Sequence, residues 1–229
     1  MNNLVVCTYC DVPRGMLEEY REQLHRAGIA AFHVETIKPF PHPSGLPVSF
    51  KFSWMREFAL RFAGEFERLV FTDAYDVLFV GGSDIADRIP ADVTWAAERN
   101  CYPEPELAEK ITGETPWRYV NAGLMSGAPQ AIIDWVDGAQ RHPAYEPELL
   151  DQRWLNRRLA DTPGMVKIDS GTANFYVVSS TLERGELQIR NGLPWNSLCN
   201  STPSFFHFSG QCPTESFREL LAGRALELG

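Results

Sequence analysis

The sequence lacks long apolar runs, basic clusters and an even set of cysteines, and each of these absences excludes a class of protein. No stretch approaches the about 18 uninterrupted apolar residues that cross a bilayer. The first three residues carry no basic side chain, and the apolar run from Leu4 to Val6 is too short for the core of a secretory signal. A net charge of −9 without a run of Lys or Arg does not suit binding to nucleic acid through its phosphates. These features predict a soluble, cytoplasmic protein.

The five cysteines do not form a disulfide framework, because an odd number leaves one unpaired and their spacing shows no regular ladder. Cys7 and Cys10 form a C-x-x-C pattern, which is typical of a redox pair or of half a zinc site. Cys7 lies inside the first apolar run, whereas a redox pair normally follows a strand and opens a helix. Burial as small apolar side chains is therefore the favoured interpretation.

The composition suits one folded domain spanning residues 1–229. A content of 44% hydrophobic and 12% aromatic residues excludes wholesale disorder. Apolar runs alternate with patterns of helical period, which is typical of an α/β layer with a mainly parallel sheet. The predicted strands are Leu4 to Thr8, Ile29 to Thr36, Leu69 to Thr72, Thr94 to Ala97 and Tyr119 to Ser126, with more strand signals in the last third. The predicted helices are Arg14 to Ala27, Phe52 to Phe66, Ala131 to Gln140 and Asp151 to Leu159, and the Pro-rich segment from Pro39 to Pro47 is a predicted loop.

An acidic turn follows the predicted strand that ends at Thr72. Asp73 and Asp76 come at the carboxyl edge of the predicted sheet, which is where open α/β sheets bind ligands. If the chain turns there, the two carboxylates converge and supply hard oxygen donors for one divalent cation. The competing interpretation is an aspartate that caps the turn beside a solvated neighbour.

Three further segments place polar residues or glycine just past apolar runs. They contain Glu98, Asn121 and His207, the last followed by Ser209 and Gly210. Each segment lies where an α/β sheet places its chemistry. Together they favour a binding site over an isolated capping aspartate.

The motifs FTDAYDV, AAERNCYP, YVNAGLMSG, DQRWLNRRL and FFHFSG occur in one order along the chain. This ordered set resembles the glycosyltransferase domain of procollagen lysyl hydroxylases, which is related to the collagen galactosyltransferases. The similarity extends from Leu4 to Gly210. It implies an α/β GT-A (Rossmann-like) nucleotide-sugar-binding domain, with a mixed, mainly parallel sheet flanked by helices.

The resemblance also implies roles for individual residues. Asp73, Asp76 and His207 would bind Mn²⁺, with Mg²⁺ as a possible substitute, and the ion would hold the diphosphate of a UDP-sugar such as UDP-glucose or UDP-galactose. Donor-binding positions would be Thr8, Lys51 and Tyr75, of which Tyr75 would stack on the uracil ring. Asn121 and Asp151 would lie beside the transferred sugar and the acceptor.

Three departures from the family pattern lie near the acceptor side. Tyr102 stands where the family has tryptophan, Asp151 stands alone where the family has a longer acidic run, and Ser209 replaces an asparagine. The UDP-sugar donor is therefore more strongly implied than a collagen hydroxylysine acceptor. Aromatic side chains that could line an acceptor cleft, although burial is the safer assumption for each, are Trp117, Trp154 and Trp195.

Several site residues keep two interpretations. His207 is either a hydrogen-bonded core residue or a metal ligand, and the Ser209-Gly210 pair favours the second because it lets the backbone approach phosphates. Asp151 either caps the helix that it opens or takes part in catalysis. Glu98 either hydrogen-bonds to sugar hydroxyls or pairs with Arg99.

The leading hypothesis is a metal-dependent glycosyltransferase that moves a hexose from a UDP-sugar to a glycan, peptide or small-molecule hydroxyl. A nucleotide-sugar hydrolase or nucleotidyltransferase would use the same acidic turn, but the Gly-rich phosphate loop that such enzymes often carry is missing between Cys7 and Pro13. A non-catalytic carbohydrate-binding module on the same scaffold is the third hypothesis. The retained metal-ligand set argues against it.

Overall fold

The computed structural model describes residues 3–12, 15–29, 31–37, 46–178, 185–210 and 214–222. In chain order these residues form β1 (Leu4–Cys10), α1 (Leu17–Arg26), β2 (Phe32–Thr36), α2 (Val48–Phe62), β3 (Arg68–Thr72), β4 (Val77–Phe79), α3 (Ile85–Arg88), β5 (Thr94–Glu98), β6 (Tyr119–Gly127), α4 (Pro129–Arg141), α5 (Asp151–Asp161), β7 (Phe175–Val178), β8 (Leu187–Arg190), β9 (Leu193–Asn196), β10 (Phe205–Phe208) and α6 (Thr214–Leu221).

The main sheet has the strand order β2-β1-β3-β6-β5. Strand β1 pairs in parallel with β2 and β3, whereas β6 is antiparallel to both β3 and β5. The predicted α/β fold with a mixed sheet and flanking helices is confirmed. The parallel strand pairs are β2-β1 and β1-β3, at the β2 end of the strand order. Because β6 runs against β3, the first residues of β6 lie at the edge of the sheet where β3 ends.

A second sheet completes the edge where β3 ends. It has the order β4-β10-β7, in which β10 is antiparallel to β4 and parallel to β7. All four residues of β10 are buried, so this late strand lies inside the protein. Strands β8 and β9 form a separate two-stranded hairpin.

An aromatic core packs between the main sheet and the helices α2, α4 and α5. Phe52 makes edge-on ring contacts with Trp135 and Trp154, at centroid distances of 5.1 and 5.4 Å. Phe58 is also fully buried. Aromatic rings of α2 thus form part of the core.

Several element boundaries differ from those predicted. Helix α2 begins at Val48 and ends at Phe62, because Gly64 takes a φ of +87° that ends the helix before Phe66. Strand β2 begins at Phe32 rather than Ile29, whose N–H still bonds to the carbonyl of Leu24 at the end of α1. Within the predicted Pro-rich loop, residues 38–45 lie outside the described ranges, as does Arg14 at the predicted start of the first helix.

The thiols of Cys7 and Cys10 are buried and free, which confirms the predicted role of this pair as small apolar side chains. None of the helices in the described ranges combines the length and the apolar character that a membrane span requires.

Candidate active site

A cavity of about 680 Å³ opens at the edge of the main sheet where β3 and β5 end. Predicted site residues that line it are Lys51, Asp73, Asp76, Glu98, Asn121, Asp151, His207, Ser209 and Gly210. These residues come from six separate parts of the chain between residues 51 and 210. The fold thus brings most of the predicted site together at the edge that the sequence indicated.

An irregularity in β6 creates the floor of the cavity. The ladder between β5 and β6 passes from Trp95 opposite Met125 directly to Ala96 opposite Asn121, so residues 122–124 have no partner on β5. Two side chains of the site hydrogen-bond to the backbone groups of Ala122. Lys51 donates to the Ala122 carbonyl, and the Ala122 N–H donates to Gln152 Oε1 at 3.2 Å.

The chain turns directly after β3, as the convergence of the two acids requires. Asp73 N donates to the Gly123 carbonyl at 2.7 Å, and β4 begins at Val77, immediately after Asp76. Antiparallel pairing of β4 with β10 places His207 opposite Val77. This pairing explains how a histidine so far along the chain reaches the acidic turn.

Asp73, Asp76 and His207 form a compact group of metal-ligating atoms. Nε2 of His207 lies 3.3 Å from Oδ2 of Asp76 and 3.7 Å from Oδ2 of Asp73. One ligand atom from each residue lies within 4.8 Å of the other two. The carboxylates are partly exposed, and the histidine is buried.

The other ring nitrogen of His207 is held by Asn121. Nδ1 of His207 lies 2.8 Å from Oδ1 of Asn121, which also accepts the Gly123 N–H at 2.9 Å. Because this oxygen is an acceptor, Nδ1 is the protonated nitrogen, and Nε2 faces the carboxylates with its lone pair in the neutral ring. Burial opposes a charge on His207, but the Asp76 and Asp73 carboxylates raise its pKa above the ordinary value in the metal-free protein.

Gly123 leaves no room for a side chain beside these ligands. A Cβ at this position would lie 2.6 Å from Nδ1 of His207 and 2.9 Å from Oδ2 of Asp73. Only glycine allows the imidazole and the carboxylate to approach the strand this closely.

Lys51 is a buried cation between two carboxylates. Its Nζ lies 3.0 Å from Oδ2 of Asp151 and 3.5 Å from Oδ1 of Asp73, and the side chain is only 2% exposed. Burial alone would lower the pKa of Lys51, but Asp151 and Asp73 raise it, so the ammonium stays charged. The positive charge of Lys51 is thus already balanced by the protein itself.

Asp151 lies at the start of a helix and also lines the cavity. It is the first residue of α5, and its Oδ1 accepts the N–H of Gln152 at 2.7 Å. Its other oxygen pairs with Lys51 and lines the cavity. The side chain therefore both supports the start of the helix and contributes charge to the site.

Glu98 is buried at the end of β5, and it lines the cavity rather than pairing with Arg99. Arg99 instead donates to Oε2 of Glu186 at 2.6 Å. Burial raises the pKa of Glu98 to about 7, although His207 and hydrogen bonds from Asn121 and Gln152 lower it. This carboxyl group can change its protonation state near neutral pH.

Two predicted donor-binding residues lie outside the cavity lining. Thr8 is fully buried, and its hydroxyl donates to the Thr72 carbonyl at 2.7 Å. The hydroxyl of Tyr75 is engaged with Asp11, accepting the Asp11 N–H at 2.8 Å. In this structure both side chains support the ends of β1 and β3, and the contacts of Thr8 and Tyr75 with a donor stay predictions.

The tryptophans considered for an acceptor cleft do not line the cavity. Trp117 and Trp154 are fully buried, as the safer assumption predicted, and Trp195 lies on β9 beneath the guanidinium of Arg190. The exposed aromatic ring at the cavity is Tyr102, with 52% of the residue exposed.

Comparison with known families bears on the same residues. The family model described as the PLOD GT domain matches residues 48–216, from the start of α2 into α6. The chain belongs to the PLOD GT domain family. The PLOD GT domain is the glycosyltransferase domain of procollagen lysyl hydroxylases, so the predicted resemblance is confirmed. No curated protein matches the chain significantly.

The family match includes all the cavity-lining residues named above and excludes β1, whose Tyr9 also lines the cavity. Membership in the PLOD GT family supports a glycosyltransferase activity for this cavity. Gln152, which hydrogen-bonds to Glu98 and to the floor of the cavity, was not predicted as a site residue. Its position next to Asp151 at the start of a helix was the signal that could have identified it.

Proposed function

We propose that this PLOD GT domain transfers a hexose from a UDP-sugar to an acceptor hydroxyl, with a divalent cation bound by Asp73, Asp76 and His207. The observation that carries the proposal is the convergence of these three side chains in the wall of one cavity. A cavity of about 680 Å³ is within the range of small-molecule sites, which supports a ligand the size of a nucleotide sugar.

The charge of the cavity supports a requirement for a cation. Asp73, Asp76 and Asp151 contribute carboxylates, and the Lys51 ammonium already pairs with two of them. A diphosphate of about −2 would be repelled by the remaining negative charge. A divalent cation reverses the local sign, so an anionic donor and an acidic turn can share one site.

The donor set suits Mn²⁺, with Mg²⁺ as the alternative. Two carboxylates and one imidazole are hard or borderline ligands. Asn121 hydrogen-bonds to Nδ1 of His207, the nitrogen that faces away from the carboxylates, and metal-ligating histidines in proteins usually have such a hydrogen bond. When bound, such an ion stabilises the negative charge that develops on the departing UDP. The protein's own contribution is to hold the three ligand atoms together before the ion arrives.

On the acceptor side, Glu98 is the better candidate to accept the proton of the attacking hydroxyl. Asp151 has one oxygen paired with Lys51 and the other bonded to the Gln152 N–H. The pKa of Glu98, raised by burial to about 7, matches the range in which a side chain accepts and releases protons efficiently. We infer that Asp151 orients Lys51 and that Glu98 accepts the proton of the attacking hydroxyl.

A panel of UDP-sugars tests the proposal directly. Purified protein is incubated with Mn²⁺ and each donor, with UDP-glucose and UDP-galactose first, and both UDP and the sugar product are measured with and without candidate acceptors. We expect acceptor-dependent release of UDP that EDTA abolishes. The variant Asp76→Ala is expected to lose at least about 100-fold in activity, because it removes a direct metal ligand.

The same assay separates the competing functions. Free sugar and UDP at a rate that no acceptor increases would identify a hydrolase. Glycan binding without turnover, unaffected by metal or nucleotide, would identify a carbohydrate-binding module. Either result contradicts the proposed transferase.

A further inference from the structure

Gln152 connects three separate elements on the acceptor side of the cavity. Its Nε2 donates to Oε1 of Glu98, at the end of β5, and to the carbonyl of Tyr102 at 3.2 Å. Its Oε1 accepts the N–H of Ala122, in the irregular part of β6, at 3.2 Å. One side chain of α5 therefore ties together a strand end, the loop at the cavity mouth and the cavity floor.

Only a carboxamide can make this set of bonds. It offers two N–H donors and one oxygen acceptor, and the bonds at Gln152 use both kinds of group. A glutamate would place a second carboxylate against Glu98 and would lose both donors. A leucine of similar volume would leave the Ala122 N–H and the Glu98 carboxyl without this partner.

Asn156, one helical turn later on α5, carries the same chemical group but different partners. It accepts the Val120 N–H at 2.9 Å and donates to the carbonyls of Val120, Tyr102 and Gln152, each at 3.2 Å. All of these partners are backbone groups. Asn156 thus anchors the chain, whereas Gln152 also holds a side chain that lines the cavity.

We propose that Gln152 is a positioning residue, which fixes the Glu98 carboxyl and the Tyr102 segment for the acceptor. The effect of Gln152 on catalysis rests on the proposed transferase function, whereas its hydrogen bonds to Glu98, Tyr102 and Ala122 do not. Gln152 does not contact Asp73, Asp76 or His207 through any hydrogen bond among the described residues. Its loss should therefore affect the acceptor side and spare the donor side.

The geometric part is tested in the metal-free protein, without any assay of activity. The carboxyl ¹³C resonance of Glu98, assigned with the variant E98Q, is recorded at one alkaline pH in wild type, Q152L and N156L. We expect the resonance to move in Q152L and to stay in place in N156L, while both variants lose thermal stability. An unmoved Glu98 resonance in Q152L, or an equal shift in N156L, would overturn the positioning role. If Q152L or N156L does not fold, the shorter carboxamide variant Q152N or the N156D variant takes its place.

The kinetic part uses wild type and Q152L with Mn²⁺ and the UDP-sugar that wild type accepts. We expect kcat to fall about tenfold, the effect of one lost hydrogen bond to a charged group, while the KM for the UDP-sugar stays within about twofold. An equal or larger change in the donor KM, or an unchanged kcat, would contradict the proposal. Absence of turnover in wild type would count against the proposed function alone, since the Glu98 resonance still decides the role of Gln152.

Discussion

The two walls of the cavity hold their carboxylates by different means. On the proposed metal side, formed by Asp73, Asp76 and His207, the two aspartates face an imidazole and an ammonium, so charged or chargeable groups balance them. On the proposed acceptor side, formed by Glu98, Tyr102 and Gln152, Glu98 is bonded by the neutral carboxamides of Asn121 and Gln152. The first arrangement leaves negative charge for a cation to neutralise. The second lets a buried carboxyl change protonation near neutral pH, because burial raises its pKa to about 7 despite these hydrogen bonds and the nearby His207.

The two walls also differ in the space around them. The metal side is so tightly packed that Gly123 cannot carry a Cβ without meeting His207 and Asp73. The acceptor side ends in Tyr102, which is 52% exposed. We infer that the metal side is fixed for one ligand geometry, whereas the open side is where acceptors of different shapes are accommodated.

The largest expected effect on metal affinity comes from Gly123→Ala, which would displace a candidate metal ligand. The added methyl group would lie 2.6 Å from Nδ1 of His207 and would displace the ring from Asn121. We expect the Mn²⁺ affinity, measured by titration calorimetry, to fall about 100-fold or more, with a loss of about 1–3 kcal/mol in the free energy of unfolding.

The matched control is Gly138→Ala in α4, where an added Cβ meets no atom within 4 Å. Alanine is a better helix former than glycine, so this variant should be about 0.5–1 kcal/mol more stable than wild type and bind Mn²⁺ unchanged. Equal metal affinities in the two variants would show that the close approach at Gly123 does not matter.

A second change, Lys51→Met, removes the cation that links the two walls. Methionine keeps the length of the side chain but leaves Asp73 and Asp151 without their buried partner. Breaking a buried ion pair leaves a buried charge without a partner. The free energy of unfolding of the metal-free variant, measured in urea, should therefore fall by about 3–5 kcal/mol. Saturating Mn²⁺ should restore part of that stability, since it neutralises Asp73. Identical losses with and without Mn²⁺ would contradict the charge balance described for the metal side.

The smallest expected effect is the change that Glu98→Gln makes in the pH dependence of the free energy of unfolding. The pKa of Glu98 is about 7 in the folded protein, against 4.5 ordinarily. Between pH 4.5 and pH 7, therefore, Glu98 keeps its proton in the folded state but has lost it in the unfolded state. Wild-type stability should therefore fall as pH rises through this window, by at most about 3 kcal/mol. E98Q should lack this fall.

The measurement for Glu98 is urea unfolding in EDTA at several pH values, taken as the difference between E98Q and wild type so that other titrating groups cancel. The variant should gain stability relative to wild type as pH rises. A difference that is constant with pH would show that Glu98 is ionised in the folded protein throughout.

Much of the scaffold could be predicted from local sequence patterns. Buried apolar runs indicated β1, β3, β5 and β6, and a pattern of helical period indicated α2. Strand β4 was not predicted, because three apolar residues directly after an acidic turn carry too little periodicity. The pairing of β4 with β10, which delivers His207, depends on tertiary packing that no local pattern encodes.

The site shows the same division between local and long-range information. Asp73 and Asp76 could be predicted as cation ligands from their position after an apolar strand, whereas the complete set with His207 was predicted because the ordered motifs resemble a known family. Thr8 and Tyr75 were predicted at the donor but lie outside the cavity lining, since strand-end position does not determine which way a side chain points. Gln152 was missed because a polar residue in the first turn of a helix usually faces solvent, and its contacts with Glu98 and Ala122 join distant parts of the chain.

We propose that a divalent cation at the acidic turn is what lets this cavity accept a diphosphate. Titration calorimetry of wild-type protein with UDP, in Mn²⁺ and again in EDTA, measures it most directly. We expect saturable binding of UDP in Mn²⁺ and no measurable binding in EDTA. Equal affinity for UDP under both conditions would contradict it.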